Sequence, residues 1–299
     1  MNLETVEISI GLIRINSSYV CLKRSQQPYK NALEFPGGKK QPHESNSDCL
    51  KRELYEELNI KLLKFKFIAT IKHRYEDIIV KIHIYRIFRF SGEMISNEGR
   101  DIVFFNDNSK HELLPTHNRV LNTLRLPKLL KIITLENIDD LNLHNINLYK
   151  YIRLRDISYQ TYKNNIELKL SQDLFFGKLI IDYPHNLDWH DDYSGVHFKN
   201  KYIENFNPQH RDNSRLYSAS CHSKKDINLI NMRLFDFILI SPVIESPYGK
   251  DSLGWSKFND LSNDSYLPTY ALGGVCSSGY DFSDCISNHG FGLAGIKKF

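Results

Sequence analysis

Residues 38–60 read GKKQPHESNSDCLKRELYEELNI, and their apolar and charged residues follow a helical period. The spacing from Ser47 to Leu58 predicts an amphipathic helix whose buried face holds Cys49, Leu50, Leu54 and Leu58. The acidic residues of this helix stand at i, i+3 and i+4, which places three carboxylates on one stripe: Glu53, Glu56 and Glu57. Because like charges at this spacing repel each other, the stretch predicts a helix that offers its carboxylates to a cation.

A divalent metal suits this stripe. Mg²⁺ prefers carboxylate oxygens together with water and phosphate oxygens, and Mn²⁺ is an alternative ion. Arg52 can pair with one carboxylate and orient it, and Gly37-Gly38 let the backbone approach metal and phosphates closely. The competing interpretation is an acidic helix face in water, but the fixed spacing of Gly38, Glu44 and Arg52 favours the metal site.

The string from Gly38 to Ile60 resembles the signature of the Nudix hydrolase family at every fixed position except one. The family has glycine where Asn59 stands, at the end of the helix, where the backbone is left-handed and asparagine is tolerated. The resemblance implies an α/β/α sandwich with a mixed sheet over residues 1–127. It also implies a metal site made of three glutamates and one carbonyl oxygen: Glu53, Glu56, Glu57 and Gly38.

Within that family, residues 3–126 are similar to the MutT type, the 8-oxo-dGTP diphosphatases. This implies hydrolysis of an oxidised purine nucleoside triphosphate to the monophosphate and pyrophosphate, in nucleotide-pool cleansing. The implied substrate contacts are Arg24 at phosphate, Asn118 at the purine edge, and the loop residues Glu34, Phe35, Pro36, Gly37 and Gly38. Glu98 is implied to join the metal site or to act as base. Glu53 or Glu98 would take the proton from water, and Arg52 completes the implied catalytic group.

The segments around the helix predict a mixed α/β domain. Runs rich in β-branched residues predict strands at Val6–Ile13, Ser18–Lys23, Phe65–Lys72, Ile78–Phe90 and Ile102–Phe105. Residues 25–43 are rich in Gln, Pro, Gly and Lys and predict a long loop. Pro115–Leu126 predicts a closing helix with three residues facing inward: Val120, Leu121 and Leu124.

After Pro127 and Lys128 the pattern changes, which predicts a second domain over residues 128–299. Eight short apolar runs recur: Leu130–Thr134, Tyr151–Leu154, Lys178–Ile181, Gly195–Phe198, Leu216–Ala219, Phe235–Ile240, Thr269–Gly273 and Gly290–Ile296. Strands that alternate with helices or loops are typical of a parallel sheet, and eight of them indicate a TIM-type (β/α)₈ barrel. Because the segment is short for that fold, its helices must be trimmed.

This second domain resembles thiamine-phosphate synthase and its thiazole tautomerase relatives. The similar pieces include Leu154-Arg155-Asp156, Gly195-Val196-His197-Phe198, Ser220-Cys221-His222-Ser223, Ala271-Leu272-Gly273-Gly274 and Gly292–Ile296. The resemblance implies a ligand site for a thiamine-related phosphate at the strand ends, with Arg155, His197, His222, Gly273, Gly274 and Gly295 as candidates.

Three departures argue against synthase activity. Ile157 stands where the synthases have lysine, Asp182-Tyr183-Pro184 replace Asn-Asp-Arg, and Lys199-Asn200-Lys201 follow His197 without an aspartate. The departures favour a ligand-binding or regulatory barrel, and strand-end histidines with purely local hydrogen bonds are the alternative.

The bulk composition agrees with a small phosphate-bearing substrate. The 299 residues carry a net charge of +4, a mild excess that requires no direct nucleic-acid partner. The five cysteines form no CxxC pair, which predicts reduced thiols in the cytoplasm. Neither a signal peptide nor a membrane span is expected.

Three functions compete. The first is Mg²⁺-dependent pyrophosphohydrolysis of an oxidised purine nucleoside triphosphate. The second is hydrolysis of thiamine-related diphosphates, which the attached barrel suggests. The third is a sensor that binds nucleotide without turnover, which the intact carboxylates disfavour.

Overall fold

Strand β1, Glu4–Ile15, lies at the centre of a mixed N-terminal sheet in the computed structural model. The structure describes residues 3–106, 112–140, 146–167, 175, 177–189, 193–245, 251–276 and 279–296, in two compact units, Met1–Arg125 and Leu126–Phe299. The other strands of the first unit are β2 (Ser18–Lys23), β3 (Leu33–Glu34), β4 (Gly37–Lys39), β5 (Lys61–Arg74), β6 (Ile78–Ser91) and β7 (Ile102–Phe105). Its helices are α1 (Asn46–Leu58) and α2 (Pro115–Arg125).

The sheet has the strand order β3-β2-β1-β6-β5, with β4 also paired to β1 and β7 paired to β2. Strand β6 runs parallel to β1, while β2 and β4 run antiparallel to it, so the sheet is mixed. Both faces of β1 are covered, because Ile10 and Leu12 on one face and Ile13 on the other are buried. Helix α1 lies so close that a Cβ atom at Gly11 would meet Leu54 Cδ2 at 2.9 Å. The predicted sandwich with a mixed sheet is confirmed.

Two local expectations were wrong. The predicted loop 25–43 contains β3 and β4, and β4 forms because the backbone of Gly37-Gly38 pairs with Ser9 and Ile10 of β1. Neighbouring strands decide this pairing, since glycine has little preference for strands.

The second local error concerns helix α2, which buries Val120 but leaves Leu121 and Leu124 only partly buried. The contacts of its first turn decide which face of α2 is buried. His117 is buried against Phe35, and its ring accepts a hydrogen bond from the Phe35 backbone. The buried face therefore runs through His117, Val120 and Thr123.

The second unit is a closed parallel barrel of eight strands, in the order β10-β11-β12-β13-β14-β15-β8-β9. These strands are β8 (Leu129–Ile133), β9 (Ile152–Leu154), β10 (Leu179–Asp182), β11 (Gly195–Phe198), β12 (Leu216–Cys221), β13 (Phe237–Ile240), β14 (Thr269–Leu272) and β15 (Gly292–Gly295). The predicted eight-stranded barrel is confirmed.

The helices of the barrel are short, as predicted. Those that the structure describes are α3 (Tyr159–Tyr162), α4 (Lys224–Asn231), α5 (Gly254–Asp264) and α6 (Gly279–Ser287). In the described residues, other connections contain 3₁₀ turns at Leu135–Asp140, His185–Asp188, Asn200–Asn205 and Pro208–His210, and a π-helical turn at Lys163–Glu167 follows α3. Within the described ranges, no helix is both long and apolar enough to cross a membrane.

Candidate active site

Helix α1 carries the glutamate stripe, and both of its ends have clear local causes. At the start, the Ser45 hydroxyl accepts a hydrogen bond from the Asp48 backbone N–H at 3.1 Å, a standard N-cap. At the end, Asn59 takes the left-handed conformation with φ 56° and ψ 27°, and its N–H bonds to the carbonyl oxygens of Leu54 and Tyr55. The expectation that asparagine replaces glycine in this conformation is confirmed.

The three glutamates of the stripe differ in exposure. The Glu57 side chain is 7% exposed and Glu53 is 16% exposed, whereas Glu56 is 49% exposed. Glu57 therefore belongs to the buried side of the helix, together with Leu54 and Leu58. The sequence pattern placed it on a separate polar face, because the period alone does not show how far loop and neighbouring segments cover a helix.

Arg52 binds three carboxylates of the predicted site at once. Its Nη2 donates to Glu44 Oε1 at 2.8 Å, and its Nη1 donates to Glu53 Oε1 at 2.8 Å and to Glu56 Oε2 at 2.9 Å. It also reaches the Lys39 carbonyl at 3.0 Å. The hydrogen bonds from Arg52 lower the pKa of Glu44 to about 2, helped by the bond from the Gln41 backbone. Arg52 thus ties α1 to the loop that precedes it.

Gly37 and Gly38 let that loop lie directly on β1 and α1. Gly37 has φ 140°, and a Cβ atom there would meet the Ser9 carbonyl oxygen at 2.1 Å. Its N–H donates to Glu57 Oε2 at 2.8 Å. A Cβ atom at Gly38 would meet Glu53 Oε2 at 2.3 Å, so the Glu53 carboxylate lies against the Gly38 backbone. Gly37 is required by space and by backbone conformation, because a Cβ atom there would meet sheet backbone, whereas a Cβ atom at Gly38 would displace the Glu53 carboxylate.

Burial controls the protonation of the inner glutamates. It raises the pKa of Glu57 to about 7, although the Gly37 N–H and the Arg100 charge act in the opposite direction. Burial also raises the pKa of Glu53, against the effect of Arg52. Carboxylates that are costly to keep charged in a dry site gain strongly from a bound cation or a proton.

Arg100 is the residue that the sequence analysis missed. Its Nη1 donates to Glu57 Oε1 at 2.8 Å and its Nη2 donates to Glu34 Oε1, while Glu98 Oε2 lies 3.9 Å from Nη1. Glu34 also accepts from Arg24 Nη1 at 3.0 Å. The signal that could have found Arg100 is a basic residue two positions after the candidate acid Glu98.

Phe35, one of the predicted substrate residues, packs against the first turn of α2. The ring of His117 stacks on the Phe35 ring at a centroid distance of 5.2 Å, and His117 Nδ1 accepts from the Phe35 backbone at 3.0 Å. Burial lowers the pKa of His117 to about 3, so the ring is neutral and its Nδ1 can accept. Asn118 follows His117 in the first turn of α2 and is exposed, as is Glu98. The Gly11 backbone N–H donates to the Pro36 carbonyl oxygen at 2.8 Å.

The chemistry of these donors fits a hard divalent cation. In the part of the chain that the structure describes, no group of three His, Cys, Asp or Glu side chains is positioned to hold a metal ion. Arg52 and Arg100 supply the counter-charge to Glu53, Glu56 and Glu57 instead. Carboxylate oxygens next to a glycine backbone are the oxygen ligands that Mg²⁺ takes.

The barrel candidates lie at two depths. His197 is completely buried, and its two ring nitrogens bond to the Ser218 and Ser220 hydroxyls at 2.8 and 2.9 Å. Asp182 is fully buried as well, with a bidentate bond from Arg153 at 2.7 and 2.9 Å. These bonds already use the polar atoms of His197.

Other barrel candidates are nearer the strand ends. His222 is exposed, and its Nδ1 lies 2.6 Å from the Ser241 carbonyl oxygen. Gly273 and Gly274 have φ angles of 97° and 73°, which favour glycine. Arg155 directly follows β9 and is partly buried, and Gly295 is the last residue of β15. The neighbouring Asp156 is paired with Lys199.

The similarity to known proteins that we describe lies in the N-terminal part of the chain. The family model described as "NUDIX domain" matches residues 6–122. The 8-oxo-dGTP diphosphatase of Buchnera aphidicola subsp. Schizaphis graminum is 39% identical over 93 residues, which cover 31% of this chain and 70% of that protein. The 8-oxo-dGTP diphosphatase of Haemophilus influenzae is 29% identical over 103 residues, covering 34% and 76%. The crystal structure of a MutT NUDIX hydrolase from Burkholderia pseudomallei is 22% identical with a TM-score of 0.38, covering 40% of this chain and 98% of that chain.

Proposed function

The chain belongs to the Nudix family, and from that premise we propose that it hydrolyses a nucleoside triphosphate with Mg²⁺, preferring 8-oxo-dGTP. The products would be the nucleoside monophosphate and pyrophosphate. The observation that carries the proposal is the placement of the Glu53 and Glu57 carboxylates against the Gly37-Gly38 backbone. Both relatives described above carry the name 8-oxo-dGTP diphosphatase, which supports the substrate class.

The glutamate stripe and the Gly38 carbonyl would hold the metal, with Glu53, Glu56 and Glu57 as the carboxylate ligands. When bound, Mg²⁺ would neutralise phosphate charge and lower the pKa of a bound water. Arg52 keeps the carboxylates of Glu53 and Glu56 at fixed positions on the helix. Glu53 or Glu98 would take the proton from the attacking water. Of the two, Glu53 is held more firmly, because its carboxylate is bonded to Arg52 and packed on Gly38.

Substrate recognition would use the surface around Phe35. Arg24 would contact phosphate, and it is partly exposed while paired with Glu34. Asn118 would read the purine edge, because its amide offers both a donor and an acceptor and its side chain is exposed at the start of α2. His117 would hold the backbone of the Glu34–Gly38 loop through the Phe35 N–H.

For residues 128–299 we propose a thiamine-phosphate-synthase-like barrel that binds a ligand or regulates the chain. The closed parallel barrel supports the fold, and an active site of this fold lies at the C-terminal ends of its strands. Arg155, His222, Gly273, Gly274 and Gly295 are the contacts we propose for a thiamine-related phosphate. His197 would support these contact residues from the barrel interior, where its ring nitrogens bond to the Ser218 and Ser220 hydroxyls.

A screen of phosphoanhydride substrates tests both proposals. Full-length protein and residues 1–127 are assayed with Mg²⁺ against dNTPs, 8-oxo-dGTP, thiamine diphosphate, oxidised thiamine diphosphate and hydroxymethylpyrimidine diphosphate. We expect the highest kcat/KM with 8-oxo-dGTP for the full-length protein and for residues 1–127, and loss of turnover in E53Q. Equal kcat/KM for dGTP and 8-oxo-dGTP would contradict the substrate preference.

The same screen separates the alternatives. Turnover of thiamine-related diphosphates instead of purine triphosphates would make the second function correct. Nucleotide binding with turnover that is unchanged in E53Q would place catalysis outside the stripe and favour a sensor.

A further inference from the structure

Arg100 lies where three segments of the N-terminal unit meet. Its backbone N–H donates to Ser96 Oγ at 2.9 Å, which fixes the turn before β7. Its Nε donates to the Lys23 carbonyl at 3.4 Å, at the end of β2. The side chain is 12% exposed. The guanidinium is therefore held on a defined path and is mostly shielded from water.

The tip of Arg100 contacts acids from two other elements. Nη1 donates to Glu57 on α1, and Nη2 donates to Glu34 on β3. Glu98, which is more exposed, lies at the edge of this cluster, 3.9 Å from Nη1. Of these three acids, Glu57 is a proposed metal ligand, Glu98 is a candidate base, and Glu34 belongs to the proposed substrate loop.

Arg100 and a bound metal ion would compete for the same carboxylate of Glu57. Burial makes charged Glu57 costly, so the guanidinium stabilises it as long as no other cation is near. A divalent ion bound through Glu57 would stand within a few ångströms of that guanidinium and be repelled by it. Because the arginine is largely shielded, this repulsion is weakly screened by salt.

We propose that Arg100 is a positioning residue that holds Glu57 and Glu34 in place before the metal arrives and competes with the metal for Glu57. This inference rests on the proposed metal-dependent function. Before a metal binds, the guanidinium supplies the positive charge beside Glu57. Metal binding displaces its Nη1 from Glu57, while its Nη2 keeps Glu34. The site is thus assembled in advance, at the expense of metal affinity.

Mn²⁺ binding to the full chain without nucleotide tests the competition, measured from the electron paramagnetic resonance signal of free Mn²⁺. In R100Q, which lacks the charge, we expect a Kd for Mn²⁺ roughly tenfold lower, together with a lower Tm in the absence of metal. R100K keeps the charge and is expected to bind Mn²⁺ as the wild type does. R89Q is the matched control, because Arg89 is an exposed arginine on β6, and it should change neither value.

A second measurement does not depend on the stability of R100Q. In wild-type protein labelled with ¹⁵N-arginine, the Nε–H resonance that is missing in R100K should shift when Mg²⁺ is added. Tighter binding of Mn²⁺ by R100Q cannot come from damage to the site, which would weaken binding.

Unchanged or weaker Mn²⁺ binding by R100Q would overturn the inference. So would an Arg100 Nε–H resonance that does not shift when Mg²⁺ is added, or an absence of Mn²⁺ binding to the wild type. Binding of Mn²⁺ with the expected R100Q effect, but without hydrolysis of any triphosphate, would overturn the proposed function and leave the inference standing.

Discussion

At the scale of single residues, two arginines decide the state of the candidate site. Arg52 gathers Glu44, Glu53 and Glu56, and Arg100 gathers Glu34 and Glu57. Between them they contact every carboxylate of the α1 stripe and offset part of its negative charge. The stripe can therefore exist without a metal ion, although its like charges would repel each other if left unpaired.

Replacing Arg52 should damage activity more than stability. In R52Q three carboxylates lose a charged donor, so we expect kcat to fall about 10- to 100-fold, as is typical when the residues that orient metal ligands are removed. The check is initial rates with Mg²⁺ and 8-oxo-dGTP beside thermal melts. E44Q removes one partner only and should cost less activity. A kcat for R52Q equal to that of the wild type would show that Arg52 does not orient the site.

His117 should make the N-terminal unit sensitive to acid. Its folded pKa of about 3 lies below the ordinary value of 6.5, so between these values the unfolded chain binds more protons. The stability that the neutral ring contributes is complete above pH 6.5 and is lost as the pH falls toward 3.

Urea unfolding of wild type and H117Q at pH 7 and pH 4 measures this loss. Glutamine can still accept from the Phe35 N–H, so H117Q should lose about 1–3 kcal/mol less than the wild type between the two pH values. Trp189 and Trp255, the two tryptophans of the chain, both belong to the barrel, so their fluorescence reports barrel unfolding separately. The exposed His43 gives the control H43Q, and identical losses in wild type and H117Q would refute the assignment.

At the scale of elements, the short strand β4 joins the loop to both β1 and α1. Its two glycines look equivalent in the sequence, but they meet different atoms. Gly37 faces the backbone of Ser9, which cannot move out of the sheet, whereas Gly38 faces the Glu53 side chain, which can.

The two alanine variants should therefore fail in different ways. G37A combines a left-handed φ with a backbone clash and should lower the free energy of unfolding by about 2–4 kcal/mol. G38A should keep most of its stability but push the Glu53 carboxylate aside and lower kcat. Denaturation curves and initial rates of both variants decide this, and equal effects of the two substitutions on both quantities would contradict it.

At the scale of the whole molecule, two units with separate cores share one chain. The barrel has an interior pair, Arg153 with Asp182, that is almost completely buried. Breaking a buried pair from one side leaves an unpaired charge, which usually costs 3–5 kcal/mol.

We accordingly expect D182N to destabilise the barrel by about 3 kcal/mol while hydrolysis by the N-terminal unit continues at low temperature. Tryptophan fluorescence during urea unfolding measures the first effect, and triphosphate turnover below the barrel transition measures the second. The double variant R153M/D182L removes both charges and should recover part of the stability. A parallel loss of turnover in D182N would show that the barrel supports the reaction.

The sequence by itself determined the architecture, since periodic patterns report local geometry and the burial of whole faces. The spacing from Gly38 to Ile60 specified helix α1 and its stripe, and Asn59 was recognised as the left-handed end of that helix. Eight apolar runs specified the barrel, and the shortness of the segment between them indicated trimmed helices.

Only the tertiary structure decided which atoms meet. Strand β4, the turn of α2 toward Phe35, the burial of Glu57 and the contacts of Arg100 all depend on groups that are distant along the chain. Lys23, Glu34, Glu57 and Arg100 belong to four separate segments, and no local period relates them. Their charges interact strongly because folding removes water from between them, and that shielding is a property of the packed sheet and helix.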